Sequence, residues 1–461
     1  MIEIENIEKV YLLGVGGIGM SALARYFHFI GKQVSGYDRT VSSLTLDLEN
    51  EGMPVHYNAD LNQVPKISDI NKTLIIYTPA VPSDFPELCY FRENGFAIYK
   101  RSQVLGLLTE SKRCIAIAGT HGKTSVTTMT AHLLKQSAIG CSAFMGGISK
   151  NYGTNLLLAE NNSQYIVVEA DEFDRSFLQL HPELAAITWM DADHLDIYGD
   201  HESMIKAFSD FVSQIDKSGS LLYRKGLDIN VQWNKDIHYY SYSIKEDADF
   251  QALQIRIIDG KYHFDLITPY GLIEDLCLSY PGLMNVENAV AACGLALLSG
   301  VSDNEIRTTL PDYSGVVRRF DTQYIGKEII YIDDYAHHPR ELEATIQSVR
   351  DLYPGKRITG IFQPHLFSRT KDFATEFAAA LDKLDDALIM DIYPARELPV
   401  EGVTSDIILN KMKLKSRILC GNADFPEILE NYHPEILLTL GAGDIDRLVD
   451  PIVAYLIQKN V

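Results

Sequence analysis

The apolar positions of this chain fall into short runs separated by stretches in which they recur at helical spacing, and the alternation repeats three times. Residues 9–15 read as a strand and residues 18–30 as a helix, because Ile18, Leu23, Phe27 and Ile30 return on one face; residues 33–37 read as the next strand. This is a βαβ unit. A further apolar strand at 73–77 runs into Thr78-Pro79-Ala80-Val81-Pro82, a turn that either ends the strand or lines a crevice at its carboxyl end. The character changes over 101–112, which puts a boundary near residue 107. A second segment holds the apolar run 114–118, a helix over 125–134, buried strands starting at 165 and 184, and an Ala- and Leu-rich helix after Pro281-Gly282. The third has strands at 328–332, 357–362, 387–390 and 436–440, with helices at 339–352 and 373–384. Such alternation predicts largely parallel sheets and an α/β protein.

Composition fits several buried cores: 461 residues, 46% hydrophobic and 22% charged, suggest about three domains. The net charge of −21 disfavours nonspecific binding to nucleic acid or an anionic membrane, so any phosphate ligand must be held by local donors in a focused pocket. Cys89, Cys114, Cys141, Cys277, Cys293 and Cys420 show no C-x-x-C spacing, and several sit inside apolar runs. Reduced, buried thiols in a cytoplasmic protein are expected. The N-terminal residues have no basic region followed by an apolar stretch, so no signal peptide is expected. The apolar run 289–298 is shorter than the roughly 20 residues a bilayer span requires, which argues against membrane insertion. Nothing in the pattern speaks to oligomeric state.

Candidate chemistry sits where strands end. Gly119-Thr120-His121-Gly122-Lys123-Thr124 follows the run 114–118 and opens a helix. Glycines let backbone N–H groups approach phosphate oxygens, a lysine supplies a point charge, and a threonine hydroxyl can reach Mg²⁺. The loop is shorter than the general phosphate-loop pattern, which asks for glycine where Ile117 stands. Near the N-terminus, Gly14, Gly16 and Gly19 form G-x-G-x-x-G, with Asp38 at the end of the second strand. That arrangement suits the pyrophosphate of a dinucleotide or of another UDP- or ADP-linked molecule. The strand starting at Tyr165 ends in Glu169-Ala170-Asp171-Glu172, and the one starting at Leu184 runs into Asp191-Ala192-Asp193-His194. Oxygen donors such as Thr124 and Glu169 suit Mg²⁺; His194 would be a less usual ligand or stand just behind one.

Asn285 and Asn288 lie one turn apart if a helix starts there, so both amides could face a purine; equally Asn285 could cap the helix, and the sequence alone favours capping. In the third segment, Asp333-Asp334-Tyr335-Ala336-His337-His338-Pro339 and Gln363-Pro364-His365-Leu366-Phe367-Ser368-Arg369-Thr370 put imidazole, aromatic and guanidinium groups at neighbouring strand ends, where ligands bind in such sheets. The stretch from Tyr393 to Glu397 could form another wall.

Taken in order, G-V-G-G-I-G-M, G-T-H-G-K-T, E-A-D-E, D-A-D-H, N-V-E-N, R-R-F, D-D-Y-A-H-H-P and Q-P-H-x-x-S-R-T resemble the Mur ligases over nearly the whole chain, and the shortened phosphate loop is the form that family uses. The resemblance implies three α/β domains: an N-terminal Rossmann-like domain for a UDP-sugar (1–107), a central ATPase sheet of phosphate-loop type (108–315) and a C-terminal Rossmann-like domain that admits an amino acid (316–461). It also implies a reaction. ATP phosphorylates the lactyl carboxylate of UDP-N-acetylmuramate, and the amine of L-alanine attacks the acyl phosphate.

By the same resemblance, Gly119, Thr120, His121, Gly122, Lys123, Thr124 and Ser125 bind ATP, with Asn285 and Asn288 on adenine, Arg319 on the phosphates and Asp334 on the ribose. Thr124 and Glu169 hold Mg²⁺, with His194 in or beside that shell. Gly16, Gly17, Ile18 and Gly19 wrap the UDP diphosphate, while Asp38 and Thr78 face its nucleoside or sugar. Tyr335, His337, His365 and Arg369 shape the amino-acid pocket, Arg369 pairing with the carboxylate and His337 standing as a candidate proton acceptor. Lys123, His194, His337 and Arg369 are thus the expected catalytic set.

The chain departs from the commoner pattern at Leu366, often arginine, at Met284, often histidine, at Trp189, often asparagine, and at Phe173, often serine. Three other readings are weaker. A ligase that adds a whole tripeptide to the same sugar would need a roomier acceptor pocket. An NAD-dependent oxidoreductase leaves Lys123, Thr124 and Glu169 without a role, and an ATP-binding switch leaves the third segment's cluster without one.

Overall fold

The computed structural model describes residues 4–110, 112–160, 163–191, 195–230, 232–395, 397–421 and 425–459. Among them three sheets form, of five, ten and six strands, each interleaved with helices in a three-domain α/β fold. The chain divides into two compact units. One gathers Met1–Leu253, Phe264–Leu276 and Asn288–Tyr313; the other gathers Gln254–His263, Cys277–Glu287 and Ser314–Val461.

In the first unit, strands Lys9–Leu13, Gln33–Tyr37, Val55–His56, Thr73–Tyr77 and Ala97–Lys100 form a parallel sheet in the order third, second, first, fourth, fifth. The order reverses between Lys9–Leu13 and Thr73–Tyr77, and ligands bind outside the carboxyl ends of strands at such a switch point. The Gly14 loop leaves one of those strands and the Thr78 turn leaves the other. The strand stops two residues short of the expected Val15 because Gly14, at φ +85°, turns the chain.

The central sheet places Arg113–Ala118 between Tyr165–Glu169 and Leu184–Ile187, all parallel. The phosphate loop, the acidic turn and the Thr188–Asp191 segment therefore leave neighbouring strands at one edge. These strands are buried on both faces, which is why they read as continuous apolar runs. The strand Leu184–Ile187 is shorter than the expected 184–190, and the helix after the loop, Lys123–Lys135, begins two residues earlier than expected. Residue 107 falls inside the helix Arg101–Thr109, and residue 315 falls between the short helix Leu310–Asp312 and the strand Asp321–Ile325.

The second unit's sheet runs Asp321–Ile325, Ile330–Asp334, Ile436–Leu440, Ile358–Phe362, Asp386–Ile389, Arg417–Leu419, antiparallel only at its first pair. The strand expected at 328–332 sits two residues later, at Ile330–Asp334, which brings Asp333 and Asp334 into the sheet. The helix expected over 373–384 is the shorter Ala374–Leu381, and a separate helix, Phe367–Asp372, precedes it. One expectation is overturned. The helix after Gly282 starts at Leu283, so Asn285 is its third residue and not its cap; its amide donates back to the Pro281 carbonyl at 2.6 Å.

The six cysteines are free thiols, with Cys114, Cys141 and Cys293 buried. Burial pushes the thiols of Cys141 and Cys293 up to about 12, so they stay protonated. No helix among the described residues is long and apolar enough to cross a membrane.

Candidate active site

The N-terminal loop that follows the strand Lys9–Leu13 is shaped by its glycines. A Cβ on Gly14 would meet the Thr78 methyl at 2.6 Å, so the Thr78 turn closes directly over the loop. At Gly16 a Cβ would stand 2.8 Å from the Asp38 carboxylate, and the Gly16 N–H donates to that carboxylate at 2.8 Å. The structure thus sets Asp38 against Gly16 and Thr78 against Gly14. Gly16 has committed its N–H to Asp38, and Gly17 donates to the Gly14 carbonyl at 3.3 Å, so the helix start at Ile18 and Gly19 carries the open donors. The first turn of that helix is pinned by Asn155, a wholly buried residue of the strand Thr154–Leu157. Its amide nitrogen donates to the Ile18 carbonyl at 2.6 Å and to Ser21 Oγ at 3.0 Å, and its oxygen accepts from Arg25 at 2.9 Å.

The phosphate loop turns on Gly119 and Gly122, at φ +133° and +80°, conformations open to glycine and strained for other residues. It is tied to the neighbouring strand's exit: Thr120 N–H donates to the Trp189 carbonyl at 2.9 Å, and the Thr188 hydroxyl donates to the His121 carbonyl. His121 Nε2 lies 3.4 Å from an Asp191 oxygen. The Arg224 guanidinium stacks on Trp189, 3.6 Å from the ring centre, so the residue in place of the commoner asparagine has its own partner. A Cβ on Gly122 would meet the Asn288 amide oxygen at 2.9 Å, which places Asn288 against this loop.

Lys123 Nζ donates to the Gly119 carbonyl at 2.6 Å and to Glu172 at 2.8 Å. Burial works to lower its pKa, yet Glu172, Asp171 and Glu169 together win and hold it above the usual lysine value. Glu172 is wholly buried, and that burial pushes its carboxyl up to about 7 against the pull of Lys123. Thr124 is buried at the helix start. A Cβ on Gly146 would fall 2.2 Å from Glu169 Oε2, so Gly146 is the cradle in which the Glu169 carboxylate rests. An oxygen-rich set of this kind fits Mg²⁺. His194 lies outside the described residues.

In the second unit, Arg318 and Phe320 both take the left-handed backbone region, at φ 61° and 43°, on either side of Arg319. Strain at two non-glycine residues persists only where surroundings enforce it. Here Arg318 supplies that: Nε donates to Asp333 at 3.0 Å and Nη2 to the Gly441 carbonyl at 2.8 Å. Arg319 is left over the Tyr335 ring at 4.9 Å and within 4.0 Å of Glu341. Asp334 accepts from the Thr345 hydroxyl at 2.7 Å and from Ala336 N–H at 3.0 Å, and burial pushes it up to about 6.

His337 meets Tyr335 and His365 edge-on at 5.2 and 5.9 Å, and His365 stacks on Tyr393 at 5.8 Å, so Tyr393 does wall this cluster. His337 Nδ1 lies 3.0 Å from the Tyr335 carbonyl, which assigns the proton to Nδ1 and leaves Nε2 as an acceptor. Burial pushes His337 down to about 3; Glu341 opposes this, while Arg369 and Arg319 add to it. Leu366 is buried at φ 70°, and Arg369 is also buried. His338, singled out beside His337, instead caps the helix Pro339–Leu352.

Two residues that matter here were not picked out as contacts from the sequence: Asn155, and Glu172 as the partner of Lys123. Each acts across a large sequence separation, for which a periodicity carries no signal.

Comparison with known proteins covers the chain end to end. Family models match residues 9–113 (Mur ligase family, catalytic domain), 117–296 (Mur ligase middle domain) and 318–438 (Mur ligase, glutamate ligase domain). Curated proteins named UDP-N-acetylmuramate–L-alanine ligase are similar over full length. That of Phocaeicola vulgatus is 47% identical over 99% of this chain and 100% of its own, and that of Porphyromonas gingivalis strain W83 is 49% identical over 98% and 99%. The crystal structure of the UDP-N-acetylmuramate-alanine ligase from Thermotoga maritima superposes with a TM-score of 0.83 at 25% identity, covering 98% of this chain and 99% of that one. A murein peptide ligase from Psychrobacter arcticus shares the fold, with a TM-score of 0.69 at 20% identity over 97% and 98%.

Proposed function

The chain belongs to the Mur ligase family, and from that premise we propose that it joins L-alanine to the lactyl carboxylate of UDP-N-acetylmuramate with ATP, through an acyl phosphate, as the first amino-acid addition in peptidoglycan precursor synthesis. The observation that carries this is full-length likeness, at 47% and 49% identity, to relatives of that name. The tripeptide-adding alternative has only a shared fold behind it.

A carboxylate resists attack by an amine, and phosphorylation converts one oxygen into a leaving group. Lys123, which pairs with Glu172, exchanges that partner for the nucleotide and neutralises charge on the β- and γ-phosphates. Thr124 and Glu169 would hold Mg²⁺, which when bound neutralises phosphate charge, and Asn288 lies against the same loop. Asn285, Arg319 and Asp334 are further proposed ATP contacts. In the amino-acid pocket Arg369 pairs with the substrate carboxylate, beside a buried Leu366. His337 is too weak a base to keep the ammonium proton; its neutral Nε2 accepts a hydrogen bond from the amine and orients it. The domain limits 1–107, 108–315 and 316–461, and a cytoplasmic location, belong to the same reading.

The test is a product assay offering L-alanine, glycine, L-serine and the tripeptide in competition. Phosphate release from ATP should require the sugar nucleotide and L-alanine together. Lys123→Ala should lower turnover by about 10²-fold or more while leaving UDP-N-acetylmuramate bound. Preferential use of the tripeptide, or near-normal turnover of the substituted enzyme, would sink the respective assignment.

A further inference from the structure

Parallel pairing of the strands Ile358–Phe362 and Asp386–Ile389 sets their carboxyl ends side by side, so the residues 363–370 follow one strand and Tyr393 and Glu397 follow its neighbour. Between them the backbone is held under strain. Leu366 sits at φ 70° and ψ 137°, outside the regions that a residue with a side chain favours, and such a conformation persists only where neighbours enforce it. Tyr393 supplies the first clamp. Its N–H donates to the Pro364 carbonyl at 2.8 Å and its carbonyl accepts from Leu366 N–H at 3.0 Å, gripping the backbone on both sides of His365. Beyond it, the Leu366 carbonyl accepts from Thr370 N–H at 3.1 Å and from the Thr370 hydroxyl at 2.7 Å.

The second clamp is Glu397. One of its carboxylate oxygens accepts from Ser368 N–H at 3.0 Å, and the other accepts from the Ser368 hydroxyl. That N–H lies in the first turn of the helix Phe367–Asp372, where backbone donors have no partner within the helix. Glu397 is itself braced by a turn, its N–H donating to the Pro394 carbonyl at 2.9 Å. Ser368 immediately precedes Arg369, which is buried and lies near enough to His337 to push that imidazole further down. Two contacts to one residue, through backbone and side chain, set both where this first turn lies and how it is rotated. The guanidinium of the next residue follows.

We propose that Glu397 is a positioning residue of the amino-acid pocket: by holding Ser368 through its N–H and its hydroxyl, it sets Arg369 where an α-carboxylate can pair with it. This rests on reading the cluster around His337 and Arg369 as the pocket for L-alanine. A guanidinium–carboxylate pair is demanding of geometry, so a displaced Arg369 loses affinity for the amino acid and leaves nucleotide binding as it was.

The test is steady-state kinetics on the full chain, with L-alanine, ATP and UDP-N-acetylmuramate each varied in turn. Glu397→Ala should raise the KM for L-alanine about tenfold, while kcat and the other two KM values stay within about twofold. Glu397→Gln should restore most of the affinity, because the amide oxygen still accepts from Ser368 N–H and the amide nitrogen can donate to the hydroxyl. Ser368→Ala keeps only the backbone contact; it should show a smaller rise and add little in the Glu397→Ala background.

An unchanged KM for L-alanine in Glu397→Ala overturns the proposal. A Glu397→Gln variant as impaired as Glu397→Ala does so too, since charge rather than hydrogen-bond geometry would then be at work. A parallel rise of all three KM values is the pattern of a merely structural role and has the same consequence. Arg369→Lys separates this residue from the pocket. If that variant leaves the KM for L-alanine unchanged, or the wild type does not use L-alanine, the reading of the pocket falls and Glu397 with it. If Arg369→Lys raises that KM while Glu397→Ala matches the wild type, Glu397 alone falls.

Discussion

At the scale of single residues, the amino-acid pocket is organised by keeping an imidazole neutral. An unfolded histidine titrates near 6.5, whereas burial holds His337 at about 3. Between those values the unfolded chain binds the extra proton, so this residue's contribution to stability is present above about 6.5 and is lost as pH falls through the window. His337→Asn removes the penalty. Relative to wild type, the variant should gain up to about 1.4 kcal/mol for each pH unit below 6.5, read as the difference between urea titrations at neutral and mildly acid pH. An identical difference at both pH values would contradict the assignment. The residue types of this cluster were legible in sequence because they stand at strand ends; the neutrality of His337 was not, since it arises from burial, with Arg369 and Arg319 adding to it.

At the scale of elements, the glycine loop borrows its rigidity from another sheet. Asn155, on a strand of the central sheet, satisfies the Ile18 carbonyl, Ser21 and Arg25 at once. Replacing it with alanine removes these three hydrogen bonds, although the Ile18 carbonyl keeps Ser21 and Arg25 keeps Glu51, at a cost of about 1–3 kcal/mol. Asn155→Ala should accordingly lower the denaturation midpoint and raise the KM for the sugar nucleotide, with the KM for ATP less affected. A variant with wild-type stability would show that the triple contact is dispensable. The strands and helices around it were readable to within a few residues, because parallel strands buried on both faces leave unbroken apolar runs. The departures occur where local conformation overrides pattern. Gly14 turns the chain early, the helix expected over 373–384 ends at Leu381, and Leu283 rather than Asn285 begins another.

At the scale of the whole molecule, the nucleotide-sugar loop and the phosphate loop both belong to the unit containing residues 4–253. A ligand that binds only the folded form raises its stability by mass action, by about 2.7 kcal/mol at a hundredfold excess over Kd. In scanning calorimetry UDP should therefore raise one of two unfolding transitions and leave the other in place; a parallel rise of both would show that the units unfold together. The three-sheet plan was legible from alternation and from the order of motifs, whereas the grouping into two units was not, being a matter of long-range packing. The net charge of −21 sets a background that repels anions, and the buried Lys123–Glu172 pair sharpens it locally. In a solution crowded with small phosphates, a lysine already matched by a glutamate offers little to a monoanion. A phosphate entering the loop therefore competes with the Glu172 carboxylate for the Lys123 ammonium, and the contact that holds the lysine in place is the one that binding must break.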